Sequence, residues 1–411
     1  MSSQVTGSSS AWRMLRMRNF GPFFVGNAAS ASGTWFQNLA ASIFVYELTH
    51  SALLLGVLNA CQFGPVLLLS PWAGGIADAF DRRLLLVYTQ SAAVAISATL
   101  AVLVWTGAAT PWLVIGFGAA LGVVMAISSP AQMAIVGSLV PRADFPQAVA
   151  LNAMTFNVAR AIGPLAAAGV IAAFGIAPAF AVNALTFLLF VGALLMVSPT
   201  PVPRVPRSSF RDSIGLVRAD RRLAGYLAIV MAIGITTDPI NTEAPAIVHA
   251  FGYSPVWAGA VVGCFGLGAI IAAVAMSDRV GPSRRQMARN LLIFGGGIVL
   301  MAASPWLPLA LALVVLAGFG YLNVNASATA QLQLGVAEEQ RGRIMALWSI
   351  AFMGTRPFAS LVDGALASWA GVRVATAVLA IPVLLAAAIL LRSPSATREP
   401  ETVGLPGERT I

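Results

Sequence analysis

Lysine does not occur in this 411-residue sequence, cysteine occurs only at Cys61 and Cys264, histidine only at His50 and His249, and charged residues make up just 9%. Two cysteines, each inside an apolar run, leave no disulfide framework and no Cys-rich metal site, and read as small buried hydrophobes. No Walker loop, dinucleotide-binding glycine fingerprint or HExxH pattern is present, so ATP drive, nicotinamide chemistry and a zincin site are unsupported. No enzymatic activity, cofactor or metal is expected. The two histidines fall at predicted helix ends, where an interfacial role is the expectation. A charged fraction so far below the roughly 25% of soluble domains excludes an ordinary soluble fold.

What fills the space is apolar: 58% of residues, with mean hydropathy +0.84. A helix needs about 20 mostly apolar residues to cross a bilayer. Twelve such runs are expected, near 20–46, 52–77, 84–106, 111–139, 148–174, 177–197, 223–249, 255–277, 288–303, 307–334, 344–369 and 373–391. The reading is an all-α membrane protein of twelve transmembrane helices in two pseudo-symmetric six-helix bundles, residues 20–197 and 223–391, joined by a linker at 198–222. Tails at 1–19 and 392–411 flank them, the second Pro-containing, acidic and expected to be disordered. The first tail carries Arg13, Arg16 and Arg18, and the apolar run after it is too long for a signal-peptide core, so no cleavage is expected.

The net charge of +9 comes from 24 arginines against 15 acids. Connections after odd-numbered spans hold almost none of them, Arg373 at one edge excepted. Connections after even-numbered spans hold Arg82, Arg83, Arg142, Arg279, Arg284, Arg285, Arg341 and Arg343. By the positive-inside rule both tails lie on the cytoplasmic side of the cytoplasmic membrane, and the charge is a topology signal rather than a nucleic-acid footprint. The linker "SPTPVPRVPRSSFRDSIGLVRADRRL" offers a short helix with Phe210, Ile214 and Val217 on one face, suited to an anionic leaflet.

The halves repeat. "VPRADFPQAVALN" from Val140 resembles "VAEEQRGRIMALW" from Val336, an offset of 196 that also carries Arg160 onto Arg356, and Asp78 has a counterpart in Asp278. Two facing bundles imply a central cavity and alternating access.

This arrangement, with "GGIADAFDRR" at 74–83, resembles the major facilitator superfamily, whose signature after the second span matches Gly74, Asp78, Arg82 and Arg83. Ala79 and Asp81 depart from it, and the acid at the second position is similar to the subgroup of bacterial siderophore (enterobactin-type) exporters and related secretion effectors. The resemblance implies a cytoplasmic gate of Gly74, Asp78, Arg82, Arg83 and Asp278, in which a carboxylate at a helix end meets loop arginines and neighbouring amides. The alternative is that Arg82 and Arg83 only set topology. "ARAIGPLAAAG" resembles part of an exporter motif, with Gly163 and Pro164 bending the fifth span and sealing the cavity from the inside; ordinary tight packing is the other reading.

Ionisable groups within the hydrocarbon region cost on the order of 2.5–3.5 kcal/mol each and usually mark a path. Here they are Arg160, Asp238, Glu243, Arg356 and Asp363. Asp238 lies roughly 22 Å along the seventh span from its inner end, and Pro239 and Pro245 bend or break that helix. Asp238, Glu243 and Asp363 are the candidate proton-coupling groups. Arg356 and Asp363 share a helix face seven residues apart, too far for direct pairing, which makes Arg160 a candidate partner for Asp363. The arginines stay charged and serve as anion sites or braces.

The first six spans hold no carboxylate, unlike many drug/proton antiporters of similar fold. Asn27, Trp35, Phe36, Gln37, Asn38 and Gln132 are the candidate cavity residues, suited to neutral or anionic amphipathic molecules. The expectation is proton-coupled export of an amphipathic small molecule, working as a monomer. An importer of the same fold and a non-transporting membrane partner stand as alternatives.

Overall fold

Several helices begin where the sequence supplies an oxygen to an otherwise unpaired backbone amide. Ser51 accepts from Leu54 N at 3.3 Å, Asp81 from Leu84 N at 2.8 Å, Thr110 from Leu113 N at 3.3 Å, Asp220 from Arg222 N at 2.7 Å and Ser283 from Gln286 N at 3.2 Å. Each meets the N-terminal deficit of donors' partners that every helix carries. These contacts come from a computed structural model, which describes residues 12–199, 215–218, 220–275, 283–337 and 340–392.

The helices are α1 (Phe20–Thr49), α2 (Ala52–Ala79), α3 (Arg82–Trp105), α4 (Pro111–Leu139), α5 (Phe145–Phe174), α6 (Ala177–Met196), α7 (Arg221–Thr242), α8 (Ala244–His249), α9 (Ala258–Ala275), α10 (Arg284–Ala303), α11 (Leu307–Leu334), α12 (Arg341–Met353), α13 (Arg356–Ala370), α14 (Val372–Leu379) and α15 (Ile381–Arg392). Ten spans among the described residues are long and apolar enough to cross a membrane. The 30-residue α1 and α5 pack alongside them, each about 45 Å long at 1.5 Å per residue. Residues 215–218 of the predicted linker helix are helical, and the stretch holding Phe210 and Ile214 lies outside the described residues.

Proline divides three of the spans. α7 ends at Thr242, Glu243 takes φ −97° and ψ 8°, and Pro245 opens α8, where its missing N–H costs no bond. The runs expected to be continuous at 344–369 and 373–391 are also split. Pro357 opens α13 after Gly354 and Thr355, and Pro382 opens α15 after Ala380. A proline that cannot bond the preceding turn is the physical reason in each case.

α1–α6 form one bundle and α7–α15 the other. They meet where α2 packs on α13 and α5 on α9. The backbone approaches at this seam are allowed by glycine. A Cβ on Gly56 would run into the Ser360 carbonyl, one on Gly364 would stand 2.9 Å from the Ala52 carbonyl, and one on Gly259 would stand 2.7 Å from the Pro164 carbonyl. These points lie toward the arginine-poor end of the molecule, where α1 turns into α2 and α13 into α14. Gly163 and Pro164 lie where α5 meets α1 and α9. Gly163 brings α5 onto α1, its Cβ position lying 2.9 Å from Trp35 Cβ, and α5 continues as one helix through Pro164.

Candidate functional site

The acids on either side of the α7 break are buried. Asp238, Glu243, Ser360 and Asp363 are each 0% exposed. Ser360 Oγ donates to Asp238 Oδ1 at 2.9 Å. Asp238 Oδ2 and both oxygens of Glu243 and of Asp363 are buried without a hydrogen-bond partner. Glu243 stands within electrostatic reach of Asp363 and Asp238, so α7, its break and α13 contribute to one acidic cluster. On α13 the residues Arg356, Ser360 and Asp363 recur at helical spacing along a single face. A buried carboxyl with no cation in contact is expensive as a fixed charge, and what it offers chemically is reversible uptake of a proton. The described residues contain no group of three or more His, Cys, Asp or Glu arranged to hold a metal ion.

The two repeat-related arginines reach across between bundles. Arg160 on α5 donates from Nη1 to the Tyr321 hydroxyl on α11 at 2.7 Å, and its guanidinium lies 4.9 Å from the Tyr321 ring centre and 5.7 Å from those of Phe265 and Trp35. Its Nη2 is buried without a partner. Arg356 on α13 lies over Phe63 of α2, 4.1 Å from the ring centre. Each arginine thus rests on an aromatic face of the opposite bundle, an attraction worth about 0.5–2 kcal/mol apiece. Arg160 does not pair with Asp363. The aromatic faces and the Tyr321 hydroxyl take up its reach, and no ion pair joins Arg160 or Arg356 to a carboxylate among the described residues. Arg356 is the cation that faces Asp238 electrostatically.

The amides expected to line the cavity are engaged with one another. Gln132 donates to Asn27, Asn27 donates to Asn152 at 2.7 Å, Gln62 donates to Asn38 at 2.6 Å, and Asn183 donates to Gln37 at 2.7 Å. These bonds tie α1 to α2, α4, α5 and α6. Phe36 is 6% exposed and belongs to the core, while Trp35 borders Arg160. Of the cavity candidates, Trp35 is the one the fold sets beside an unpaired charged group.

At the arginine-rich end, Arg83 donates from Nε to the Leu194 carbonyl and from Nη2 to the Leu195 carbonyl, both at 2.7 Å, which caps the last turn of α6. Arg82 donates to the Ala134 carbonyl at 3.4 Å. Gly74 and Asp78 lie in α2, with their side chains outside the described set, and Asp278 is outside the described residues. Arg13 pairs with Asp144 at 2.6 Å on the same end.

Sequence reading did not single out Ser360, Phe63, Phe265 or Tyr321. Ser360 carried a signal, since it stands one turn after Arg356 and one before Asp363. The aromatic partners carried none, because each is one apolar residue among many in its helix.

Two six-helix bundles joined in this way define the major facilitator fold. Residues 9–403 match the family model described as transmembrane secretion effector. The chain belongs to that family of the major facilitator superfamily. It is 31% identical over 268 residues to the staphyloferrin A transporter of Staphylococcus aureus (strain NCTC 8325 / PS 47), covering 62% of this chain and 66% of that one. It is 23% identical over 286 residues to an uncharacterized MFS-type transporter of Bacillus subtilis (strain 168), covering 67% of this chain and 66% of that one. The matches therefore span just under two thirds of either relative's length. Among solved structures, a bacterial homolog of the human lysosomal transporter Spinster, inward-facing and unoccupied, superposes with TM-score 0.72 at 12% identity, covering 94% of this chain and 97% of that one.

Proposed function

We propose that this protein is a secondary transporter that exports an amphipathic small molecule, of the siderophore or secondary-metabolite kind, in exchange for protons by alternating access. The observation that carries the reading is the cluster of three fully buried carboxylates, Asp238, Glu243 and Asp363, beside a break in α7, with no hydrogen-bond donor to either oxygen of Glu243 or Asp363. A group that gains and loses a proton next to interrupted backbone can couple its charge to helix packing. The arginine-poor end is the outer one, and both termini are cytoplasmic. The bundles are in contact there.

Arg160 and Arg356, each on an aromatic face and neither in an ion pair, supply cationic contacts for a substrate with acceptor or anionic groups, while Trp35, Phe63 and Phe265 offer flat apolar surface. The family description, with its word secretion, and the siderophore transporter among the relatives support outward movement of such a molecule. Asp238 is the principal coupling group, with Glu243 and Asp363 on the outer side of the path. The protein works as a monomer.

Metabolites inside cells and in the medium, compared between a deletion strain and the same strain re-expressing the protein, test this directly. A compound retained in the deletion strain is the substrate of an exporter. One stranded in the medium reverses the direction, and no difference removes transport altogether.

A further inference from the structure

The two histidines of the sequence, 199 positions apart, meet across the seam. His50 ends α1 in the first bundle and His249 ends α8 in the second, and their ring centres are 5.5 Å apart. Tyr46, buried one turn earlier on α1, stands 5.6 Å from each of them, edge-on to both. The imidazoles are exposed at the arginine-poor surface. His50 is held there at φ 47°, the left-handed region that a side chain adopts at a cost, and among the described residues no other non-glycine residue has a positive φ. Beneath this triad Tyr46 is within electrostatic reach of Glu243.

We propose that His50 and His249 form a latch over the outer end of the two bundles, closed while the imidazoles are neutral and released when both take a proton, and that Tyr46 connects it to Glu243. Two neutral rings packed on a tyrosine favour contact. Two imidazolium ions at this separation repel, and separation of the bundles at the seam relieves that repulsion. Imidazole changes charge between about pH 5 and pH 8, so an acid exterior opens the outer face and admits protons toward the buried acids.

The other titratable groups near the latch do not cancel this sign. Glu47 lies beside His50 at the exposed end of α1, and one carboxylate cannot neutralise two imidazolium ions. Arg373, which donates to the carbonyls of Ser304 at 2.8 Å and Ala250 at 3.4 Å, adds positive charge next to α8. Glu243 and Tyr46 lie below, α9 brings only Cys264, and Tyr253 in the turn after α8, its amide bonded to the Val248 carbonyl at 3.2 Å, brings a phenol and no positive charge. The latch is read from the geometry of the seam alone. It rests on the proton-driven reading solely for what becomes of the protons beyond Glu243.

The test uses the full chain with Cys61→Ala and Cys264→Ala, carrying Ala52→Cys in the seam, labelled by an impermeant thiol reagent outside intact cells. Ala108→Cys, exposed in an outer connection, corrects for the pH dependence of the reagent. Relative labelling of Ala52→Cys rises about three- to tenfold between about pH 7.5 and about pH 5.5, as repulsion of two like charges at an interface gives. With His50→Gln or His249→Gln the response is flat. A pH response that survives in the glutamine variants overturns the latch. If Asp238→Asn keeps full gradient-driven transport while the latch response is intact, proton drive through Asp238 fails and the latch stands.

Discussion

Ser360 donates its hydroxyl to Asp238 at 2.9 Å, joining α13 to α7, and both residues are fully buried. The bond ties the helix that carries Arg356 and Asp363 to the acid beside the α7 break. The carbonyl of the same serine faces Gly56 of α2.

Asp238→Asn keeps the shape and the acceptor for Ser360 but cannot exchange a proton. Transport driven by an imposed pH gradient in proteoliposomes is expected to vanish, while exchange of labelled for unlabelled substrate continues. A variant that still responds fully to the gradient would show that Asp238 is not the coupling acid.

Ser360→Ala removes the donor that α13 gives to Asp238. Loss of a buried partner of this kind costs about 1–3 kcal/mol, so the variant should unfold at a lower temperature in detergent. In a double-mutant cycle with Asp238→Leu most of that loss should disappear, because the pair then has nothing left to satisfy. Additive losses would mean that the contact contributes little.

Arg356→Lys keeps the charge and loses the flat face that rests on Phe63. Substrate affinity should fall about tenfold or less, and Arg356→Ala should weaken it further, by isothermal titration or competition binding. Equal affinities for the parent, lysine and alanine forms would make Arg356 a structural brace. The Tyr321→Phe variant, which frees Arg160 of its hydroxyl partner, reads the same question in the first bundle.

Gly56→Leu pushes a side chain into the Ser360 carbonyl, a backbone atom that cannot rotate away. The outer seam should then stay apart, lengthening the distance between spin labels on α2 and α13, and net transport should stop while the protein still reaches the membrane. Unchanged distances would mean that the backbone absorbs the added volume.

Asn27→Leu removes the center of the Gln132, Asn27 and Asn152 chain. Interhelix hydrogen bonds in membranes are worth about 0.6–2 kcal/mol each, so stability should fall while substrate affinity is kept. A selective loss of affinity would return Asn27 to the cavity wall.

The splits before Pro357 and Pro382 were not legible in the sequence, while the approximate span positions, the arginine asymmetry between ends, the two-bundle repeat and the break after Asp238 were. Each rests on local chemistry: a run of about 20 apolar residues crosses hydrocarbon, and a proline cannot bond the turn before it. The burial of Asp238, Glu243 and Asp363 together, the support of Asp238 by Ser360, the seating of Arg160 on Tyr321 rather than beside Asp363, and the meeting of His50 with His249 were decided by tertiary structure alone. In a membrane helix the lipid-facing and core-facing sides are both apolar, so hydrophobic periodicity does not say which face turns inward. The close approach of particular helices, permitted at Gly56, Gly259 and Gly364, selects which of the few polar groups meet.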